Sequence, residues 1–466
     1  MKREKKLLIN TIILGFGSIL PKSASFLILP ILTAALSKAE YGTYDLVLTS
    51  TSLVLPVFSL LIEQGVFRFL LDTKTENDRK KVITNSTIYV MITSLVLFLL
   101  SVLILNQFKI EFKILISLYL VLNLHYKFVI QVCRGLGDLK KYSLASIINS
   151  FFNLLLIYFL VGNIKLGLYG LLVALVISVF LATIYAIISS GIIRYISFKL
   201  CSSQYIKELL KYSAPLLPNS LSWWVIGASD RWIISAFLSV EMTAVYAIAN
   251  KIPSMFNLFY NNFNLAWQES ATITSKDSDA KTYYTNIFNH LFNFLVGLLL
   301  VLMTISPVLF GIFIDKQYYL AYYQMPILFF AMFFHSLSAY YGGIYVAFKK
   351  TKSISFSSLI AAILNIIINL GLINLIGLYA ASFSTLVSFL VLTIYRAIDL
   401  QKHIQINYNY TKIILSLSVL TVVAIINYLN DYYLNILNFI FALVIAVILN
   451  RKLFRQVLLR FLKRIK

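Results

Sequence analysis

At 466 residues, 60% of them hydrophobic and 12% charged, the chain carries more apolar surface than one soluble core can bury, and lipid must serve as its solvent. The net charge of +22 comes from 40 Lys and Arg against 18 Asp and Glu, but the basic residues are spread over short loops and build no groove-sized domain, which excludes nucleic acid as a partner. Two cysteines, Cys133 and Cys201, supply neither a disulfide framework nor paired ligand spacing, so no metal and no cofactor is expected.

Lys2, Arg3, Lys5 and Lys6 precede an apolar run that begins at Leu7 and continues past Lys22 to Ala35. That is too long for the apolar region of a cleaved signal peptide, and it reads as a first transmembrane helix entering from the cytoplasm. Runs long enough to cross about 30 Å of hydrocarbon at about 1.5 Å per residue follow in order. The fourteen lie near 8–33, 42–70, 83–106, 114–133, 142–161, 167–190, 213–238, 244–268, 285–313, 319–347, 354–374, 378–397, 411–428 and 432–450. About 30 of the 40 Lys and Arg fall in alternate loops and the two tails, five in the loops between, and five inside the spans. Basic flanks stay cytoplasmic during insertion, so both termini are cytoplasmic and the outward loops, all short, leave no extramembranous domain for chemistry.

The chain repeats itself. Leu20-Pro21-Lys22-Ser23 in the first span matches Leu217-Pro218-Asn219-Ser220 in the seventh, and each is followed by Leu-Ser and then Tyr: Leu36-Ser37 with Tyr44, Leu238-Ser239 with Tyr246. The fifth and eleventh spans share Asn149 with Asn153 and Asn365 with Asn369; the sixth and twelfth share Gly167-Leu168-Tyr169 and Gly377-Leu378-Tyr379. Corresponding spans differ by six, an even number, so the halves have one orientation and are related by an axis along the membrane normal. The expected organisation is all-α and integral to the membrane. A six-helix lobe over 1–199 is followed by a second over 200–403, then by two additional helices and a basic tail over 404–466.

Lys22, Arg68, Lys127, Arg231 and Lys251 lie inside spans, where a charge costs roughly 2.5 to 3.5 kcal/mol and needs a wet cavity or a partner. The in-span acids are fewer, Glu63 and Asp230, so the interior is net positive and suited to an anion such as phosphate. Lys22, Arg68, Arg231, Lys251, Glu63 and Asp230 are the candidate substrate-binding residues around a central cationic cavity. Each also has a plainer reading. Arg68 and Lys127 sit near the cytoplasmic flank and can snorkel, and Arg231 can pair with Glu241 or Glu63. His290 and His335 read as packing histidines, the in-span prolines as kinks, and most aromatics as lipid-facing filler or interfacial belt. Gly17 to Ser23 lacks the Gly before Lys that a P-loop needs, and no zinc spacing or Ser-His-Asp cluster appears, so no enzyme is expected.

The opening of the chain, from Gly15 through Lys22 and Pro30 to Leu36-Ser37-Lys38-Ala39-Glu40-Tyr41-Gly42-Thr43-Tyr44, resembles the O-antigen and polysaccharide flippase family, with the Glu-Tyr-Gly-x-Tyr turn as its most recognisable feature. That family belongs to the multidrug, oligosaccharidyl-lipid and polysaccharide exporter superfamily. The resemblance implies a MATE-like fold that moves an undecaprenyl-pyrophosphate-linked oligosaccharide from the inner to the outer leaflet of a bacterial cytoplasmic membrane. Lys22 and Arg68 match positions in the family's first two spans, whereas Arg231 and Lys251 follow from depth and charge. A polysaccharide polymerase of the same pathway is an implied partner, with a monomer as the working unit. Fourteen spans rather than twelve also suits a teichoic-acid, capsule or peptidoglycan-precursor relative. The rivals are a multidrug or cation exporter of the same superfamily, which should favour cavity carboxylates, and an integral-membrane polymerase or ligase, which should carry a sizeable outer loop.

Overall fold

Inside a bilayer no water reaches the backbone, so a spanning chain must close its N–H and C=O groups within itself, and a helix does so locally. The structure, a computed structural model, describes residues 21, 23–275 and 277–451, and every regular element among them is helical. Most of the first predicted span, Lys22 and the tail from residue 452 lie outside the described residues. Among the described residues ten helices are long and apolar enough to cross a membrane, and a bent pair makes an eleventh. This is compatible with fourteen spans: the first is largely outside the described residues, and the seventh and eighth carry Asn, Ser and charged residues that lower their hydropathy. The chain forms two compact units, 1–224 and 225–466.

In the first unit α1 (Leu29–Ala35) leads to α2 (Lys38–Ser59) and α3 (Ile62–Asp72). The second predicted span is therefore not one rod: α2 and α3 are bent by 55°. Leu60 and Leu61 both take left-handed backbone, with φ of 47° and 56°, which is uphill for a branched side chain. Pro56 has already removed a donor from the last turn of α2, and Ser59 Oγ accepts from the Leu61 N–H at 3.1 Å, so the break has a local cause. α4 (Glu76–Gln107), α5 (Lys113–Gly135), α6 (Leu139–Ile157) and α7 (Gly167–Ser190) follow, with a π-helical turn at Tyr158–Asn163. α5 packs on α3, α4 and α7, while α6 packs on α7. On α4, Met91, Ile92, Leu95, Leu99 and Leu103 are exposed at helical spacing, the lipid-facing stripe of a spanning helix.

Hydropathy passes over one element of this unit. The sixth loop contains the charged helix α8 (Ser203–Ser213), which docks on α3 where Gly65 allows the Leu209 carbonyl close; a Cβ there would sit 3.3 Å from that oxygen. Thr84 and Asn85 of α4 hold the loop, Thr84 Oγ1 donating to the Tyr195 carbonyl at 3.1 Å and Asn85 Oδ1 accepting from the Ser202 N–H at 2.7 Å.

α9 (Leu217–Phe237) runs from the first unit into the second. The eighth span again comes in two pieces, α10 (Val240–Ala249) and α11 (Lys251–Thr274), with Asn250 between them and Pro253 just beyond. Then come α12 (Ala280–Phe313), a 3-10 segment at Lys316–Gln324, α13 (Met325–Ala347), α14 (Thr351–Ile376), α15 (Tyr379–Leu400), α16 (Tyr410–Leu429) and α17 (Tyr432–Leu449). α13 packs on α11 and α15, and α14 on α15. The two helices beyond the repeat lie on α12, pinned by amides: Asn427 Nδ2 donates to the Met303 carbonyl and Asn450 Nδ2 to the Asn293 carbonyl, both at 3.0 Å.

The tyrosines correct the reading of aromatics as lipid-facing filler. Tyr246, Tyr284, Tyr322, Tyr340 and Tyr345 are among the largest fully buried side chains. Their hydroxyls find acceptors inside, as when Tyr340 donates to the Tyr284 carbonyl at 2.8 Å and Tyr322 to the Asn427 carbonyl at 2.6 Å.

Candidate functional site

The Glu-Tyr-Gly-x-Tyr turn is a cap shared by two helices. Glu40 Oε2 accepts from the Ser37 N–H at 2.9 Å and from its hydroxyl at 2.8 Å, completing a capping box on α2. Its other oxygen, Oε1, accepts from the Leu168 N–H at 3.0 Å in the first turn of α7. Gly167 is required beside it: φ is +57°, and a Cβ would fall 2.3 Å from Glu40 Oε1. Burial works against the Glu40 charge, but the donors of Ser37 and Leu168 outweigh it and hold the carboxyl below its usual range. The second unit repeats the landmarks without the carboxylate. Ser239 caps α10 and Gly377-Leu378 precede α15, yet Met242 stands where Glu40 stands, and the corner is left as a cavity of about 540 Å³.

Of the predicted site residues in the first unit, Lys22 lies outside the described residues. Glu63 opens α3 just after the break, half-buried, where Lys127 of α5 is close enough for their charges to act on each other. Its Oε2 is buried with no hydrogen bond. Arg68, one and a half turns further along, is exposed and pairs with Asp72 at 2.6 Å. One short helix thus carries a half-buried carboxylate and an exposed guanidinium, because five residues of α-helix turn them to different faces.

In the second unit Asp230 is 1% exposed and fully engaged. Oδ1 accepts from Asn369 Nδ2 at 2.7 Å; Oδ2 accepts from the Tyr246 hydroxyl at 2.8 Å and the Thr385 hydroxyl at 2.7 Å. Neutral donors from α10, α14 and α15 surround the carboxylate held by α9. Arg231, the next residue, points elsewhere: it is half-buried, donates to the Gly227 carbonyl at 2.7 Å, and its guanidinium lies 5.7 Å from the centre of the Tyr246 ring. Tyr246 is thus the side chain that lies beside both neighbours, bonded to Asp230 and with its ring near the Arg231 guanidinium. Lys251 is half-buried at the first residue of α11. The Asn pairs of both units keep buried amide oxygens that accept nothing, on Asn149 and Asn153 in the first and on Asn369 in the second, but in the second Asn369 Nδ2 also donates to Asp230.

Sequence reasoning missed Arg396. Lying at the edge of the twelfth predicted span, it counts as a cytoplasmic flank by position, yet it is 1% exposed. Nε donates to Ser357 Oγ at 3.0 Å, NH1 to the Ser338 carbonyl at 2.9 Å and NH2 to Ser358 Oγ at 3.0 Å, which joins α13, α14 and α15. The available signal was the Ser357-Ser358 pair in an apolar helix. His335, in contrast, packs edge-on against Phe389 with ring centres 4.9 Å apart.

Helical spans and buried polar clusters define a polytopic, all-helical membrane protein. The lipid II flippase MurJ, in an inward-closed conformation, matches with a TM-score of 0.70 at 14% identity, over 97% of this chain and 100% of that one. An inward-facing multidrug resistance MATE family transporter of the MOP superfamily matches at 0.67 and 14%, over 82% and 95%. A MOP superfamily transporter from Pyrococcus furiosus matches at 0.60 and 12%, over 85% and 96%. At these identities the likeness is one of fold. No curated protein matches the sequence. The polysaccharide biosynthesis protein family model matches residues 7–267, and the chain belongs to that family.

Proposed function

We propose that the protein is a flippase that carries an undecaprenyl-pyrophosphate-linked oligosaccharide from the inner to the outer leaflet of a bacterial cytoplasmic membrane by alternating access. Membership of the polysaccharide biosynthesis family is the observation that carries this reading. Side-chain chemistry supports it. Asp230 is occupied by three neutral donors, and the charge nearest the half-buried Glu63 is the cationic Lys127, an environment that disfavours a cationic drug. Arg231 and Lys251 are half-buried cations suited to a diphosphate, and Lys22 and Arg68 are assigned the same role in the first half. The polyprenyl tail stays in lipid, and only the head needs a polar path. An anion leaving a negative interior gains roughly 2.3 kcal/mol per charge per 100 mV, so the membrane potential assists export.

Arg231→Ala tests the reading. The expected result is loss of surface glycan with lipid-linked precursor accumulating inside, identified by mass spectrometry. Normal export by Arg231→Ala and Lys251→Ala together would remove the proposed headgroup role. In vesicles with the potential clamped at zero, an unchanged rate would remove the electrical contribution.

A further inference from the structure

The cytoplasmic end of the last two helices holds a cavity that the transport reading leaves unused. On α12, Asn286, Asn289, His290 and Asn293 recur at spacings of three and four and so share one helix face. The cavity opens on that stripe, measures about 530 Å³, and is bounded by Lys412 near the start of α16 and by Asn450 and Arg451 at the end of α17. Its depth follows from helix length. At about 1.5 Å per residue, the 34 residues of α12 exceed a hydrocarbon layer of about 30 Å by about 20 Å. Counting from the outward end at Phe313, the excess places the Asn stripe at the level of the cytoplasmic headgroups. α17 ends at that level too, where Asn450 bonds the Asn293 carbonyl.

The lining has two chemical demands. Lys412 and Arg451 bring positive charge, and no lining residue is acidic. The side-chain oxygens of Asn293 and Asn450 are buried and accept no hydrogen bond, so they call for a donor. A ligand that answers both carries anionic oxygens and free hydroxyls on one small head. In the headgroup layer, that is the glycerol phosphodiester of phosphatidylglycerol.

We infer that the cavity between α12, α16 and α17 binds the headgroup of phosphatidylglycerol from the cytoplasmic leaflet. Lys412 and Arg451 meet the phosphate, and Asn293 and Asn450 accept from the glycerol hydroxyls. The inference depends on placement in a membrane and not on what the carrier moves. The full chain is relipidated with phosphatidylglycerol, phosphatidylmethanol (equal charge, no hydroxyl) and phosphatidylcholine, and retained lipid is counted by native mass spectrometry. Phosphatidylglycerol is retained over both others. The double variant Lys412→Gln with Arg451→Gln lowers its retention roughly thirtyfold, which is about 2 kcal/mol at about 1 kcal/mol per basic residue. Asn293→Leu, which keeps both charges, narrows the preference over phosphatidylmethanol, while Lys352→Gln in the first turn of α14 changes nothing. Equal retention of phosphatidylglycerol and phosphatidylmethanol overturns the inference. So does an equal loss in Lys352→Gln, or displacement of the lipid by excess inorganic phosphate.

Discussion

Glu40→Gln isolates the shared cap. The carboxylate accepts on both oxygens, from Ser37 on one side and from Leu168 at 3.0 Å on the other. A Gln presents its carbonyl to one side only, and its amide N–H then faces a backbone N–H on the other. Losing one charge-assisted bond and stranding a donor costs about 2 kcal/mol. At about 1.4 kcal/mol per tenfold, that is roughly a thirtyfold rise in local opening. Hydrogen–deuterium exchange of the purified protein at neutral pH should show it in the peptides spanning 36–44 and 166–172, with distant peptides of α12 and α17 unaffected. The pH dependence has a fixed sign. A carboxyl held below the ordinary Glu value of 4.5 stabilises the fold above that value and loses the contribution as pH falls through its depressed folded value. The difference between wild type and Glu40→Gln should therefore shrink in acid. Identical exchange at neutral pH in the two proteins would refute the two-helix cap.

Other consequences are equally specific. Gly167→Ala should destabilise the same corner by about 2 kcal/mol or more, from left-handed backbone and contact with Glu40 Oε1. Adding Glu40→Ala should relieve the contact part, and strict additivity of the two melting shifts would contradict this. Arg396→Ala should lower stability by about 3 kcal/mol, because a cavity opens and the Ser338 carbonyl loses its donor. Arg396→Met, which fills the space and removes a buried charge, should lose less, and equal melting temperatures in detergent would count against it. Glu63→Gln and Lys127→Met should couple, the double variant losing less stability than the sum of the two single ones, and strict additivity of the melting shifts would show that the two charges do not act on each other. Asp230→Asn should impair export, because the cluster of Asn369, Tyr246 and Thr385 loses its charged acceptor and Tyr246 lies beside Arg231; full export activity would exclude a role for the cluster.

The sequence by itself determined what depends on local composition and period. Apolar run length established spanning helices, and alternate basic loops gave the expectation that both ends are cytoplasmic. The matched pairs Asn149 with Asn153 and Asn365 with Asn369 marked the internal repeat. Hydropathy could not show that Leu60 and Leu61 bend the second span, because a break leaves average composition unchanged. Nor could it show that α8 docks on Gly65, since a short charged helix carries no spanning signal. Only tertiary structure decided which in-span charges meet partners. Arg396 looked like a flank because position along the chain is a poor guide to burial when Ser357 and Ser358 approach from another helix. Asp230 and Arg231 are adjacent in sequence yet point apart, one into a shell of neutral donors and the other over Tyr246, because consecutive helical residues diverge by about 100° and packing assigns each direction its surroundings.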